Sequence, residues 1–153
     1  MENLDVTEVS VNPPPQSGGE VLVFVYGTLK KGFSNHERFL KGKEKISDAV
    51  LHGYNMYSLG RFPGIVVGKG NVYGEVYEVN QETLRRLDAL EGYMSGANNM
   101  AYNMYVRKED KAFLLNGHTN EYSGLFAGVF VYIYNHPDRL GSGTFIYSGV
   151  WNP

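Results

Sequence analysis

The sequence predicts an α+β fold, in which a small, mixed and strongly curved β-sheet or barrel carries a few short flanking helices. The run Val21–Tyr26 is continuously apolar and rich in β-branched residues, which is typical of a strand buried on both faces. Residues 72–79 alternate in character, as expected of a strand with two different faces. Helical patterns are few and short, so strands dominate.

Further strands and one short helix are predicted in the first half of the chain. The first strand ends at Gly27 and Thr28. Ser34 is then a candidate N-cap for a short helix, with Glu37 as its capping-box partner. Apolar runs predict strands at 49–54 and 65–67, with a turn over 61–64 between them.

The clearest helix comes after residue 79. Asn80 is its predicted N-cap, the helix runs from about Gln81 to Leu90, and Gly92 is a natural end. A polar segment over 94–100 follows. The remaining predicted elements are strands at 102–106, 112–115, 129–134 and 144–147, with Asn116-Gly117 as a hairpin-turn signal.

Length and charge favour one ordinary globular domain. The chain has 153 residues and a formal net charge of -2, so no strong field draws it to nucleic acid or to an anionic membrane. Residues 1–19, rich in proline and glycine, are predicted to form a flexible N-terminal arm, with residues 20–153 as a single domain. No apolar run approaches the roughly 20 residues of a membrane span, and a signal-peptide pattern is missing, so we expect a cytoplasmic protein.

Several kinds of site are disfavoured by the residue types. Cysteine is absent, which excludes disulfides, thiolate metal ligands and a cysteine nucleophile. The four histidines show no metal-ligand spacing, and no serine lies in a nucleophile elbow. We therefore expect no metal and no cofactor. The sequence leaves the oligomeric state open.

The junction Tyr26–Leu29 is the first candidate functional feature. A buried strand stops abruptly at Gly27, and glycine lets a ligand approach the backbone closely. Consecutive N–H groups at such a turn can bind an anion, for example a carboxylate. The alternative is an ordinary strand-end turn, and the residues alone favour it.

Glu91 is the second candidate. Leu84, Leu87 and Leu90 mark the apolar stripe of the predicted helix, and at about 100° per residue Glu91 falls about 20° from Leu84. A buried carboxyl has a raised pKa, which suits proton transfer near neutral pH. The alternative, equally favoured by the pattern, is a frayed helix end with a solvated Glu91. A carboxylate pair with Asp88 for sugar chemistry is less favoured than a solvated Asp88.

Three segments together resemble the gamma-glutamylcyclotransferase superfamily, and within it the gamma-glutamylamine cyclotransferase branch. The first is residues 23–36, with Tyr-Gly-Thr-Leu at 26–29. The second is Gly-Glu-Val-Tyr at 74–77 followed by Leu-Asp-Ala-Leu-Glu-Gly-Tyr at 87–93, and the third is Ser-Gly-Val-Trp at 148–151. The resemblance covers about residues 21–151 in the right order. It implies a small mixed barrel with flanking helices.

The resemblance also implies an activity and a site. The expected reaction is the cyclisation of a gamma-glutamyl amide, a small molecule, to 5-oxoproline with release of the amine. Glu91 is then the catalytic acid/base. The residues expected to bind the substrate are Tyr26, Gly27, Thr28, Leu29 and Tyr102.

Two features depart from the family pattern. Relatives usually carry a Tyr, one residue and then an Arg after the Glu-Gly pair; Tyr102 is matched to the Tyr, which places Met104 at the Arg position. The segment 95–101 is also long, and Val150 departs from the usual Gly-Asp-Trp ending. Met104 motivates an alternative function, a non-catalytic module that binds gamma-glutamyl or amino-acid groups. A third hypothesis is an enzyme that removes a gamma-glutamyl group from a biosynthetic intermediate.

Overall fold

Five strands close into a barrel in the computed structural model, which describes residues 19–141 and 144–152. The strands are β1 Val21–Val25, β2 Glu44–Ser58, β3 Pro63–Val79, β4 Tyr105–Leu115 and β5 Tyr122–Tyr134, with a short β6 at Phe145–Ile146. The helices are α1 His36–Phe39 and α2 Gln81–Glu91, and 3₁₀ turns lie at Ala97–Tyr102 and Pro137–Arg139. The predicted α+β class with a curved mixed sheet is confirmed.

The barrel closes because β3 pairs with both β1 and β2. Around the barrel the order is β3-β1-β5-β4-β2 and back to β3, and β6 pairs with the outer part of β2. The β1–β5 pair is parallel, while the other pairs are antiparallel. The sheet is therefore mixed, and a closed sheet leaves few edges that could pair with another chain.

The first strand is buried on both faces, as its continuous apolar run predicts. Phe24 points into the barrel interior with residues such as Val76 and Val131. Val23 and Val25 belong to a second cluster outside the barrel, where Leu84 and Leu87 of α2 cover them. The helix therefore lies against the end of β1 from which the Tyr26–Leu29 loop departs.

Both ends of α2 follow the sequence prediction. The Asn80 side chain accepts a hydrogen bond from the backbone N–H of Thr83 at 2.8 Å, so it caps the first turn. Gly92 adopts a left-handed conformation with φ 69°, which ends the helix at low cost for a residue without a Cβ. The helix continues one residue beyond the prediction and includes Glu91.

The predicted start of α1 is wrong. The N-cap position is Asn35, without a side-chain capping bond, and not Ser34. Asn35 is held by Thr28 instead: its backbone N–H donates to the Thr28 carbonyl at 3.0 Å and its side-chain amide to Thr28 Oγ1 at 2.9 Å. This double contact fixes where the chain turns into the helix.

Several strands are longer than predicted because neighbouring side chains compensate for unfavourable residues. Gly68 and Gly70 lie within β3, and the Asn55 side chain from β2 accepts from the Gly70 N–H at 3.0 Å. In β4, the charged residues 107–111 pair with β5, where the guanidinium of Arg107 lies over the Phe130 ring at 4.7 Å. The strands predicted at 102–106 and 112–115 are therefore one strand that begins at Tyr105.

The β4–β5 hairpin is confirmed, with a longer loop than Asn116-Gly117 predicts. Asn116 N donates to the Glu121 carbonyl, and the left-handed residue is Asn120 with φ 60°. The arm predicted for residues 1–19 lies outside the described residues except for Gly19, whose carbonyl accepts from Gln81 Nε2. Within the described ranges, every helix is too short or too polar to cross a bilayer.

Asn80→Ala should lower the free energy of unfolding by about 1 kcal/mol, because the Thr83 N–H loses its side-chain acceptor. Asn80→Asp retains an acceptor and should stay close to the wild type. Urea denaturation of the two variants checks this. An equal loss in both would show that Asn80 contributes something other than the cap.

Candidate active site

A cavity of about 330 Å³ lies between the loop that follows β1 and the C-terminal end of α2. One wall comes from the β2–β3 turn and another from the start of β4. Its lining residues are Phe24, Val25, Tyr26, Gly27, Thr28, Leu29, Ser34, Asn35, Arg61, Phe62, Pro63, Leu90, Glu91, Met104, Tyr105 and Tyr132. The structure thus brings Glu91 and the Tyr26–Leu29 loop, predicted from separate parts of the sequence, to one cavity.

The Tyr26–Leu29 loop is held from several sides. The Tyr26 hydroxyl donates to the Tyr132 carbonyl at 2.7 Å, and a buried His36 donates through Nδ1 to the Leu29 carbonyl at 3.0 Å. A Cβ on Gly27 would lie 2.8 Å from the Pro63 ring, so only glycine allows this close approach. The loop is therefore rigid before any ligand binds.

Three consecutive N–H groups in this loop have no partner among the residues that the structure describes. No described residue accepts a hydrogen bond from the backbone N–H of Gly27, Thr28 or Leu29, whereas Lys30 N donates to the Gly27 carbonyl and Lys31 N to Glu75. All three residues line the cavity. Unpaired N–H groups favour an anionic or carbonyl oxygen as their partner.

Glu91 is the last residue of α2 and is partly buried. No described residue donates a hydrogen bond to its carboxyl group. Burial, and after it the charge of Asp88, raises the pKa of Glu91 from 4.5 to about 7. A carboxyl with this pKa can both accept and release a proton near neutral pH.

Asp88 lies one turn before Glu91 and is partly buried, with 21% of its side chain exposed. One of its carboxylate oxygens accepts from Arg107 at 2.6 Å and the other from the Tyr132 hydroxyl at 2.6 Å. The Arg107 guanidinium also lies over the rings of Tyr93 and Phe130. Asp88 thereby ties α2 to β4 and β5, and the carboxylate is already used in an ion pair.

Tyr102, predicted to bind the substrate, does not line the cavity. It lies in the 3₁₀ turn and is 86% exposed. Tyr105 lines the cavity instead; it is 3% exposed, and its hydroxyl donates to the Pro63 carbonyl at 2.6 Å. Burial, followed by the charge of Glu91, raises the pKa of Tyr105, so the phenol stays neutral.

The Tyr-x-Arg spacing is also met by Tyr105 and Arg107, three residues further along the chain than Tyr102 and Met104, and Tyr105 lines the cavity. The sequence alone does not show this second match, because the length of the polar segment before β4 becomes clear only from the start of the strand at Tyr105. The spacing itself was the available signal. Tyr132 and Arg61 were also missed, and neither carries a local motif.

Glu91→Gln should stabilise the protein above pH 7. The folded-state pKa of about 7 exceeds the ordinary value of 4.5, so ionisation destabilises the folded state, and the penalty grows between these two values as pH rises. Glutamine cannot ionise, and the expected gain at pH 8 is up to about 3 kcal/mol in the free energy of unfolding. Urea denaturation at pH 8 and pH 4 measures it.

At pH 4 the gain should vanish. Glu82→Gln, an exposed change in the same helix, is the matched control and should differ little from the wild type at either pH. An equal gain for Glu91→Gln at both pH values would show that ionisation is not its cause.

Asp88→Asn should lower the pKa of Glu91 below about 7, because it removes the nearby negative charge and leaves Arg107 without its counterion. A ¹³C NMR titration of the Glu91 carboxyl in Asp88→Asn, with Glu82→Gln as the control, measures this. A pKa that is unchanged or higher in Asp88→Asn would contradict the electrostatic role of Asp88.

Comparison with known proteins places this chain in a family. The sequence profile described as "Gamma-glutamyl cyclotransferase, AIG2-like" matches residues 23–153. A gamma-L-glutamyl-butirosin B gamma-glutamyl cyclotransferase from Niallia circulans is 34% identical over 119 residues, which are 77% of this chain and 69% of that protein. A putative gamma-glutamylcyclotransferase from Vibrio cholerae is 46% identical over 71 residues, which are 46% of this chain.

The gamma-glutamylcyclotransferase family protein YtfP from Escherichia coli is 41% identical over 68 residues, which are 44% of this chain. The matched regions span 61% of the Vibrio cholerae protein and 59% of the Escherichia coli protein. Among solved structures, an AIG2-like protein from Mus musculus has a TM-score of 0.63 and 25% identity, over 88% of this chain and 97% of that one. An uncharacterised protein from Pyrococcus horikoshii has a TM-score of 0.58 and 27% identity, over 85% and 88%. This chain belongs to the AIG2-like gamma-glutamyl cyclotransferase family.

Proposed function

We propose that this protein converts a gamma-glutamyl amide into 5-oxoproline and a free amine, with Glu91 as its general acid/base. One observation carries the proposal: a carboxyl group with a pKa of about 7 and a loop with three unpaired N–H groups line the same cavity. A cavity of about 330 Å³ is of the size that takes a small molecule.

The reaction joins two groups of one molecule. Glu91, as the carboxylate, removes a proton from the substrate's α-ammonium group. The free amine nitrogen attacks the γ-carbonyl carbon and forms the new C–N bond of a five-membered ring. Glu91 then returns this proton to the leaving nitrogen as the old C–N bond breaks. The attacking nitrogen still carries two protons and gives up the second through Glu91 to the departing amine, so the products are 5-oxoproline with a neutral lactam N–H and a protonated amine.

The Tyr26–Leu29 loop would hold the oxygen atoms of the substrate. Its three unpaired N–H groups can bind the α-carboxylate or the oxyanion that develops on the γ-carbonyl. Because both reactants are in one molecule, the enzyme's main task is to fold the glutamyl chain so that its ends meet. A loop already held by Tyr132, His36 and Asn35 can impose that geometry without further ordering.

The binding-module alternative loses its motivation. It rested on Met104 in place of an arginine, and Tyr105 with Arg107 now supplies the Tyr-x-Arg spacing. Removal of a gamma-glutamyl group from a biosynthetic intermediate uses the same chemistry with another leaving amine. The Niallia circulans relative, named for gamma-L-glutamyl-butirosin B, is the observation that favours keeping this second function.

Glu91→Gln should reduce the release of 5-oxoproline by at least about 100-fold, because the proton transfer loses its carrier. The assay uses a panel of gamma-glutamyl amines, gamma-glutamyl dipeptides and gamma-glutamyl-ε-lysine, with 5-oxoproline measured by mass spectrometry. Glu82→Gln is the matched control and should keep the wild-type rate.

Two results would count against the proposal. Wild-type turnover in Glu91→Gln would remove Glu91 from the chemistry. Binding of a gamma-glutamyl amide in calorimetry, with no 5-oxoproline from any member of the panel, would instead identify a binding module.

A further inference from the structure

We propose that an exposed apolar rim beside the cavity selects gamma-glutamyl amides whose leaving amine is apolar and uncharged. The rim consists of Met104, which lines the cavity, and of Met94, Met100 and Tyr102, which are exposed in the chain segment that leads to it. This inference rests on the proposed function, since it assigns the surface that would contact the leaving amine of the substrate. It concerns specificity and not the chemical step.

The rim brings together apolar side chains that are exposed to water. Of the nine large apolar side chains that the described residues expose, four lie within residues 94–104, with exposed fractions of 63%, 43%, 86% and 44% in chain order. Clustered exposed apolar groups mark binding surfaces more often than single ones do. Methionine, with its flexible thioether, adapts to ligands of different shape.

Met104 connects the rim to the reacting groups. It lines the cavity together with Glu91, and its backbone N–H donates to the Gly92 carbonyl at 3.2 Å. A Cβ on Gly92 would lie 3.4 Å from the Met104 Cβ. A leaving group attached to the nitrogen that Glu91 protonates therefore meets Met104 as it extends out of the cavity.

The segment that carries the rim is fixed by polar clamps. The buried Asn103 side chain accepts from Met94 N at 3.0 Å and donates to the Met94 carbonyl at 2.8 Å. The Asn135 side chain donates to the carbonyls of Met100 and Asn103. The backbone is therefore held in place while the apolar side chains stay in water, which fits a preformed surface for an apolar ligand.

The charges around the rim indicate which ligand fits. No charged residue stands between Glu91 and Arg107 in the sequence, so this segment offers no counterion to an ammonium group. Among the described residues that line the cavity, Arg61 is the cation and would repel an ammonium, while the acid, Glu91, is engaged with the reacting nitrogen. A cationic leaving amine would be desolvated against methionine and tyrosine without compensation, whereas an alkyl group gains from the same contact.

Three substrates test the proposal: gamma-glutamyl methylamide, hexylamide and 5-aminopentylamide. The last two have the same length and differ in a terminal methyl or ammonium. We expect kcat/KM for the hexylamide to exceed that for the aminopentylamide by about tenfold or more. The methylamide does not reach the rim and reports the chemistry alone.

Variants of the rim give the second readout. Met104→Ser and Tyr102→Ser should each lower the hexylamide-to-methylamide ratio of kcat/KM, and Met104→Leu should keep it. Val67→Ser is the matched control, because Val67 is 80% exposed on β3 and belongs to neither cavity nor rim; it should leave all three rates unchanged.

The outcomes separate this inference from the proposed function. Equal kcat/KM values for the hexylamide and the aminopentylamide, or a ratio that Met104→Ser leaves unchanged, would overturn the inference while 5-oxoproline release still supports the function. A Tyr102→Ser variant that elutes as a smaller species with an unchanged ratio would identify the rim as a contact between copies, which also overturns it. No 5-oxoproline from the three substrates, with turnover of a member of the earlier panel, would overturn the inference alone, and no 5-oxoproline from either set would overturn the proposed function itself.

Discussion

The paired contacts of Asp88 determine where everything else in the cavity lies. Its two carboxylate oxygens bind Arg107 of β4 and the Tyr132 hydroxyl of β5, so the C-terminal half of α2 is attached to the barrel by polar groups as well as by leucines. The backbone carbonyl of Tyr132 in turn accepts a hydrogen bond from the Tyr26 hydroxyl. One chain of hydrogen bonds thus sets the distance between the helix that ends in Glu91 and the loop that follows β1.

The features that can be predicted from the sequence are those whose determining contacts are local. The capping of α2 by Asn80, its end at Gly92 and the two-sided burial of β1 depend on neighbouring residues or on a simple period, so they were predictable. Strand lengths were not, because Asn55 fills the space over two glycines of β3 and aromatic rings of β5 cover the charges of β4. Tyr132 lines the cavity because β5 pairs with the distant β1, and no sequence pattern around Tyr132 predicts this pairing.

The cavity separates two tasks between two kinds of surface. Its inner end combines a partly buried carboxyl, neutral phenols and unpaired N–H groups, which act on charge and protons. Its outer end is formed by the segment before β4, where polar side chains serve to hold the backbone and apolar ones face solvent. In this arrangement the inner end can stay constant while the outer segment changes in length and composition, because Asn103 and Asn135 clamp the segment to itself and to the end of β5 without involving Glu91.

The parallel β1–β5 pair has a consequence for how the chain acquires its shape. Tyr26 and Tyr132 are joined by a hydrogen bond and separated by 106 residues in the sequence. The barrel can therefore close only after β5, the last long strand, has paired with β1. Such distant pairings make folding slow relative to helical proteins of similar size, because loop-closure entropy is lost before the contacts form. During synthesis the Tyr26–Leu29 loop leaves the ribosome well before Tyr132 is made. Tyr132 is the last residue of the cavity along the chain, so the lining is complete only after the Tyr26–Leu29 loop and Glu91 have been made.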